Sequence, residues 1–287
     1  MTLVVGRITQ GGIRIDSDSK ITNPNEASNQ NNIFSGLLKT IVLNPNISVS
    51  YAGGVETAQL AIEELYKLGN FDIFKVKSKL LEINKDCKSE TDFLIATLEN
   101  QPLLYKISKG EISISNSFHW IGDIKGFNLF QSEFLPNLKS TNSKHIWSVH
   151  SKAFDKVIEN SQIESVGGFH VTVHRTNFGL EYMFTTNISS GRPQTLELKQ
   201  GTNVLPWGDA GTGTYSACYL KSDNPFKPAI GIHFPIGDFG TLYYPRLSRE
   251  VIMYKDVNGF EFADKVMTDY KIKLIGMIKN GEYLTRI

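Results

Sequence analysis

A threonine stands second in the chain, at the head of a β-rich run that reads Thr2-Leu-Val-Val-Gly-Arg-Ile-Thr. Its hydroxyl is a poor nucleophile near neutral pH and needs a base to take the proton. An initiator Met is trimmed when the next residue is small, and Thr qualifies, so loss of Met1 would leave the Thr2 α-amine free. Such an amine has an ordinary pKa of about 7.7–8.0 and can accept that proton. One residue would then supply both nucleophile and base. The arrangement calls for a nearby cation, to keep the amine neutral and polarise the hydroxyl, and a buried cation needs a carboxylate in turn. Asp18, ending a second strand-like run, and Lys39, opening a third, are the candidates. Taken alone, each of the three has an ordinary explanation: a first strand residue, a turn cap, a solvated strand end. Together they describe nucleophilic catalysis through a covalent intermediate.

The elements that would position them are read from hydrophobic period and turn residues. Residues 2–9 and 13–18 make two strands joined at Gly11-Gly12, a hairpin. Residues 22–32 are polar and Asn-rich and read as a surface loop. Two more strands, at 39–43 and 47–52, flank the turn Asn44-Pro45-Asn46, and Gly53-Gly54 breaks the second. Beyond it Ala58, Ala61, Ile62 and Leu65 recur at helical spacing. Another helix is predicted over 72–86, with Phe74, Leu80 and Leu81 on its apolar side. Strands return at 93–98, 103–107, 112–114 and 118–121, helices at 125–135 and 144–158, and strands at 169–174 and 180–184. Tight turns between consecutive strands imply antiparallel sheets.

After residue 190 the texture changes. Gly191-Arg-Pro and Lys199-Gln-Gly201 look like turns, residues 229–234 and 241–244 like a strand pair around Gly237-Asp238, and 260–278 like one or two helices. The expected organisation is a domain over 2–189 followed by a C-terminal α/β extension over 190–287 with no assigned role.

The spacing of the chemical residues resembles the proteasome β-subunit family of N-terminal-nucleophile hydrolases. Thr2 with Asp18-Ser19-Lys20 looks like the family's opening, where Asp-Ser-Arg follows the nucleophilic Thr at the same distance. Lys39-Thr-Ile-Val-Leu-Asn-Pro resembles the segment carrying its catalytic Lys, and Ser50-Tyr-Ala-Gly-Gly-Val its Ala-Gly-Gly signature. The likeness continues through Leu104-Tyr-Lys-Ile and Trp120-Ile-Gly-Asp to Gly167-Gly168, roughly residues 2–186. It implies an α+β fold, a four-layer αββα sandwich of two antiparallel sheets. It also implies hydrolysis of peptide or amide bonds through an acyl-enzyme on Thr2. Asp18 and Lys39 would be the activating pair and the Gly53 N–H the oxyanion donor. Asp123 stands where the family has Ser, as a partner for the Thr amine. A substrate pocket would be lined by Ile21, Leu37, Ile41, Tyr51 and Val55, which favours an apolar side chain beside the scissile bond. The family works as rings or stacked dimers, so a homo-oligomer is expected; no regulator or ATPase can be named. Where the family has an Asp and a Ser ahead of the double glycine, this chain has Ile163 and Val166, with Glu164 and Ser165 adjacent. A one-residue bulge would let Glu164 substitute. Two alternatives stand beside this reading: a non-catalytic scaffold of the same fold, and an amidase for a small molecule, capped by the extension.

Composition narrows the rest. A formal net charge of +1 with no block of like charge gives no support to a nucleic-acid partner. No apolar run approaches the ~20 residues that cross a bilayer, and no secretory leader is recognised, so a cytoplasmic protein without membrane contact is expected. Cys87 and Cys218 have no metal-type spacing and read as buried small hydrophobes. His170 and His174 would share one strand face, a metal pair without an evident third ligand, so strand packing is the expected role. Gly208-Asp-Ala-Gly-Thr-Gly lacks the Lys of a phosphate loop. Phe234, Phe239, Tyr243 and Tyr244 read as core or interface of the extension. No metal and no cofactor is implied.

Overall fold

The computed structural model describes residues 2–9, 12–21, 36–87, 90–139, 145–160, 162–187, 217–235, 238–278 and 282–284. Within them the chain is mixed α+β, with five helices and three antiparallel sheets. The Asn-rich loop, the turns near residues 191 and 199, Gly237 and the 208–213 segment lie outside the described residues.

The predicted hairpin forms from β1 (Leu3–Thr9) and β2 (Gly12–Ser17), in register from Val4 opposite Ser17 to Thr9 opposite Gly12. It sits inside a five-stranded sheet ordered β10-β9-β2-β1-β8, completed by β8 (Phe118–Gly122), β9 (Val171–Thr176) and β10 (Gly179–Tyr182). Side chains alternate across β1 as a half-buried strand requires. Leu3 and Val5 enter one apolar cluster with Phe127, Phe130 and Phe154, while Val4 enters another with the second sheet. The phenylalanines belong to α3 (Ile124–Lys139) and α4 (Ile146–Glu159), a helix pair on that face.

The second sheet runs β3-β4-β5-β6-β7 in sequence order. Its strands are β3 (Thr40–Asn44), β4 (Ile47–Gly53), β5 (Thr91–Thr97), β6 (Leu103–Ser108) and β7 (Glu111–Ser115). β1 and β8 touch β4, β5 and β6 across the gap between the sheets. Helices α1 (Val55–Lys67) and α2 (Ile73–Asp86) pack on β4, β5 and β6. α1 buries Ala58, Ala61, Ile62 and Leu65, the set its periodicity singled out. α2 buries Ile73, Val76, Leu80 and Ile83, and leaves Phe74 exposed and Leu81 only partly buried. The predicted apolar side is therefore rotated: Asp72 caps the helix by accepting from Lys75 N–H (2.9 Å), and that start fixes which positions turn inward.

The C-terminal region holds a third sheet and one helix. Its order is β15-β14-β13-β12-β16-β17, with β11 also paired to β12. The strands are β11 (Thr185–Asn187), β12 (Ala217–Ser222), β13 (Ile230–Phe234), β14 (Phe239–Tyr243), β15 (Ile252–Tyr254), β16 (Leu274–Ile278) and β17 (Glu282–Leu284). One helix, α5 (Gly259–Tyr270), lies against it through Phe262 and Val266. The stretch 260–278, expected to hold one or two helices, is thus helix then strand: Lys271 takes a left-handed conformation (φ 56°) that ends α5, and the apolar Leu274 and β-branched Ile275 open β16. Because β11 already belongs to this sheet, the sheet starts before the expected boundary at residue 190. Tyr219, Ile232, Phe234 and Val251 enter the same core cluster as the first two sheets. A buried ion pair, Lys221 to Glu181 on β10 (2.5 Å), joins the sheets as well. Phe234 stacks on Phe239 (4.5 Å) and meets Phe169 (5.5 Å), the core role expected of these rings.

Candidate active site

The β1–β2 register brings Thr2 and Asp18 together. Continuing from Val4 opposite Ser17 places Leu3 opposite Asp18, and the Leu3 N–H donates to Asp18 Oδ1 (3.1 Å). The N–H groups of Gly167 (3.2 Å) and Lys20 (3.3 Å) donate to Oδ2. Asp18 has no exposed surface; burial pushes its carboxyl up to about 6, against the opposing pull of Lys39 and the three backbone donors. Thr2 is buried too, and its Oγ1 has no hydrogen-bond partner among the described residues. An orphaned buried hydroxyl costs about 1–3 kcal/mol.

Lys39 immediately precedes β3 and is likewise buried. Its charge reaches Asp18 through space, but no ion pair within 4.0 Å joins them among the described residues. The Lys39 Nζ instead lies 5.3 Å from the centre of the Tyr51 ring. The Tyr51 N–H donates to the Lys39 carbonyl (3.1 Å). Two residues on, Gly53 ends β4. Gly53 holds φ 119°, and a Cβ there would come 2.0 Å from the Glu90 carbonyl oxygen, so only glycine fits.

Two neighbours fix Thr2 from its other side. The Asp123 N–H donates to the Thr2 carbonyl (2.7 Å). Gly122, at φ 102°, lies so close that a Cβ would meet the same carbonyl oxygen at 1.9 Å. The Asp123 side chain accepts from Gly126 N–H (2.8 Å) at the start of α3 and from Ser165 Oγ (2.6 Å). Burial works to raise its carboxyl, but the bonds from Ser165, Gly126 and Lys125 outweigh it and hold it below the ordinary range. The bulge that would bring in Glu164 does not occur: Glu164 is exposed, and Ser165 makes the connection. Ile163 and Val166 are buried in the α3–α4 cluster.

The five predicted pocket residues differ in exposure. Ile41 and Tyr51 have no exposed surface, Leu37 is buried, and Ile21 and Val55 are partly exposed. Arg249, from the C-terminal sheet region, donates to the Tyr51 hydroxyl (2.6 Å). A cleft of about 250 Å³ opens on the other side of the two glycines, lined by Ala52, Gly53, Gly122, Thr91, Asp92 and Lys109 among others.

Two groups escaped sequence reasoning. Arg249 carried no signal, being an isolated Arg in an unassigned region. Asp16 carried a weak one, a second carboxylate two residues before Asp18. It is buried and accepts from Arg14 Nε (2.8 Å), His170 Nε2 (2.7 Å) and Thr172 Oγ1. His150 Nδ1 lies 2.7 Å from its Oδ2, poorly aligned for a hydrogen bond. Burial would raise the Asp16 carboxyl, but Arg14, His170 and His150 hold it well below the usual range. His170 bridges Asp16 and Asp155 with its two ring nitrogens; burial would depress it, and the two carboxylates push it up to about 9. It is an ion-pair residue rather than the plain strand packing expected. No cluster of three His, Cys, Asp or Glu suited to a metal is found among the described residues.

No helix among the described residues is long and apolar enough to cross a membrane. No protein-family model matches the chain, and a search of curated proteins finds no match.

Proposed function

We propose that this chain is a threonine amidohydrolase of the N-terminal-nucleophile class, resembling proteasome β-subunits, that hydrolyses peptide or amide bonds once Met1 is removed. In this reading the first two sheets and their flanking helix pairs are a four-layer αββα sandwich. The observation that carries the proposal is the buried, unpartnered Thr2 Oγ1, on a residue held through its own carbonyl by Asp123 and through the next N–H by Asp18. An orphaned hydroxyl beside an ionisable buried carboxyl is costly for packing alone and is the form a poised nucleophile takes.

Thr2 Oγ1 attacks the substrate carbonyl carbon while its proton passes to the Thr2 α-amine. The resulting oxyanion meets the Gly53 N–H, a donor of a kind worth about 3 kcal/mol in comparable sites. Collapse breaks the C–N bond, and the leaving amine takes the proton from the α-ammonium. Water, deprotonated by the same amine, hydrolyses the Oγ1 ester and restores Thr2. Lys39 and Asp18 set the local field: the cation favours a neutral amine, and the carboxylate offsets the buried cation. While Met1 is attached, the amine is an amide and the base is absent.

The Arg249 contact on Tyr51 favours a second reading within this class, a small-molecule amidase, because it brings the C-terminal region against a residue of the expected substrate pocket. Self-association into a homo-oligomer belongs to the family resemblance and is checked by light scattering, where a clean monomer argues against it. Hydrolysis of a panel of fluorogenic peptide amides by protein lacking Met1, absent in Thr2→Ala, tests the activity. Equal turnover by both proteins removes Thr2 from the reaction.

A further inference from the structure

The pocket beside Thr2 was expected to be apolar, but two cations meet at its Tyr51 wall. Lys39 Nζ lies 5.3 Å and Arg249 Cζ 4.9 Å from the centre of the same Tyr51 ring. Arg249 Nη2 donates to the Tyr51 hydroxyl (2.6 Å) and to the Leu38 carbonyl (3.4 Å). Its Nη1 is buried and has no hydrogen-bond partner among the described residues. No carboxylate among them lies within ion-pair distance of this guanidinium. Tyr66 is mostly buried; burial pushes its hydroxyl up, while Arg249 and Arg246 both pull against that, so a third cation belongs to the same corner. Lys39 acts through space on Asp18, a carboxylate that three backbone donors already occupy.

A guanidinium presents five N–H donors in a planar fork suited to a carboxylate. Leaving one edge of it buried and unpaired is expensive, and an incoming anion recovers that cost. The geometry points to Arg249 as a specificity-determining residue that receives a carboxylate of the substrate, either the side chain of an acidic residue beside the scissile bond or the acid group of a small acyl donor. The C-terminal sheet region then has a role: it adds to Lys39 a second cation, with a planar fork of donors, at the Tyr51 ring. This inference rests on the reading of Thr2 as nucleophile.

The experiment separates the two. Protein lacking Met1 is assayed with tripeptide amides that differ only in Glu, Gln or Leu before the scissile bond. Charge-assisted recognition of this kind predicts a kcat/KM roughly ten- to hundredfold higher for Glu. Arg249→Gln, which keeps a neutral donor for Tyr51, should erase that preference while still forming a covalent adduct with a Thr-directed electrophile. Arg249→Lys should retain part of it. Hydrolysis with no Glu preference, or a preference unchanged in Arg249→Gln, overturns the inference and leaves the nucleophile reading intact. Absence of both hydrolysis and adduct overturns the nucleophile reading. The pocket is then read by calorimetric binding of the same amides to the Thr2→Ala protein. Tighter binding of Glu than Gln, lost in Arg249→Gln, sustains the carboxylate site, and equal binding overturns it.

Discussion

Replacing Asp18 by Asn removes a titratable charge from a position with no exposed surface, and the consequence depends on pH in a way the structure specifies. The Asp18 carboxyl is raised from an ordinary 3.8 to about 6 in the folded protein. The folded state therefore binds more protons than the unfolded chain between those values, and stability from this group falls as pH rises through the window from about 4 to about 6. At 1.36 kcal/mol per unit, the ionised form costs the fold about 3 kcal/mol at neutral pH. Asn carries no such penalty, but it offers one acceptor oxygen where Leu3, Lys20 and Gly167 present three N–H donors. One donor left unpaired costs about 1–3 kcal/mol at every pH. The sign of the mutant's stability at a single pH is thus a near balance, but its drift is not. From pH 4 to pH 8 the stability of Asp18→Asn relative to wild type should improve by about 3 kcal/mol, roughly 5 °C in relative Tm for a chain of this size. Thermal unfolding of both proteins at one-unit pH steps measures it, and titrations common to both cancel in the difference. A pH-independent difference, or one that shifts in favour of wild type as pH rises, refutes the placement of a strained carboxylate beside Thr2. In the proposed reaction the same variant loses activity at all pH values, a trade of function against stability.

Gly122→Ala places a Cβ 1.9 Å from the Thr2 carbonyl oxygen and should displace Thr2, abolishing adduct formation and lowering Tm; an unchanged adduct rate contradicts the described packing. Ser165→Ala removes the 2.6 Å bond to Asp123 and should cost about 1–2 kcal/mol in denaturant unfolding, with the Asp123 carboxyl rising toward its ordinary value by NMR titration. His170, raised to about 9 against an ordinary 6.5, contributes stability that is full below about pH 6.5 and is lost as pH rises toward 9. His170→Asn should flatten that alkaline limb of the stability curve, and an unaltered limb sinks the assignment.

What could be read from residues alone followed from local rules. The hairpin at Gly11-Gly12, the turn at Asn44-Pro45-Asn46 and the buried stripe of α1 all rest on period and turn chemistry within a few residues, and the pairing confirms them. The convergence of Thr2 and Asp18 follows from a short antiparallel hairpin, where one register sets every partner. Lys39 is brought to the Tyr51 ring by a similar neighbour pairing, yet its separation from Asp18 depends on how two sheets meet, and no local pattern encodes that. In the C-terminal region the expected strand pair is present as β13 and β14, but the end of α5 is not legible, because it runs into β16 without a Pro or Gly to mark the change. Arg249 lies about two hundred residues from Tyr51 in sequence, so only tertiary packing could reveal their contact. The Asp16 hub likewise draws on β2, α4 and β9 at once.

The central claim concerns one hydroxyl, and intact mass spectrometry addresses it directly. Purified protein is weighed before and after treatment with a threonine-directed epoxyketone or β-lactone, beside the Thr2→Ala variant. The account predicts loss of Met1 and a single covalent adduct on the wild-type chain, absent from Thr2→Ala. A chain that has lost Met1, folds, and takes up no adduct contradicts it and leaves the buried Thr2 as part of a scaffold.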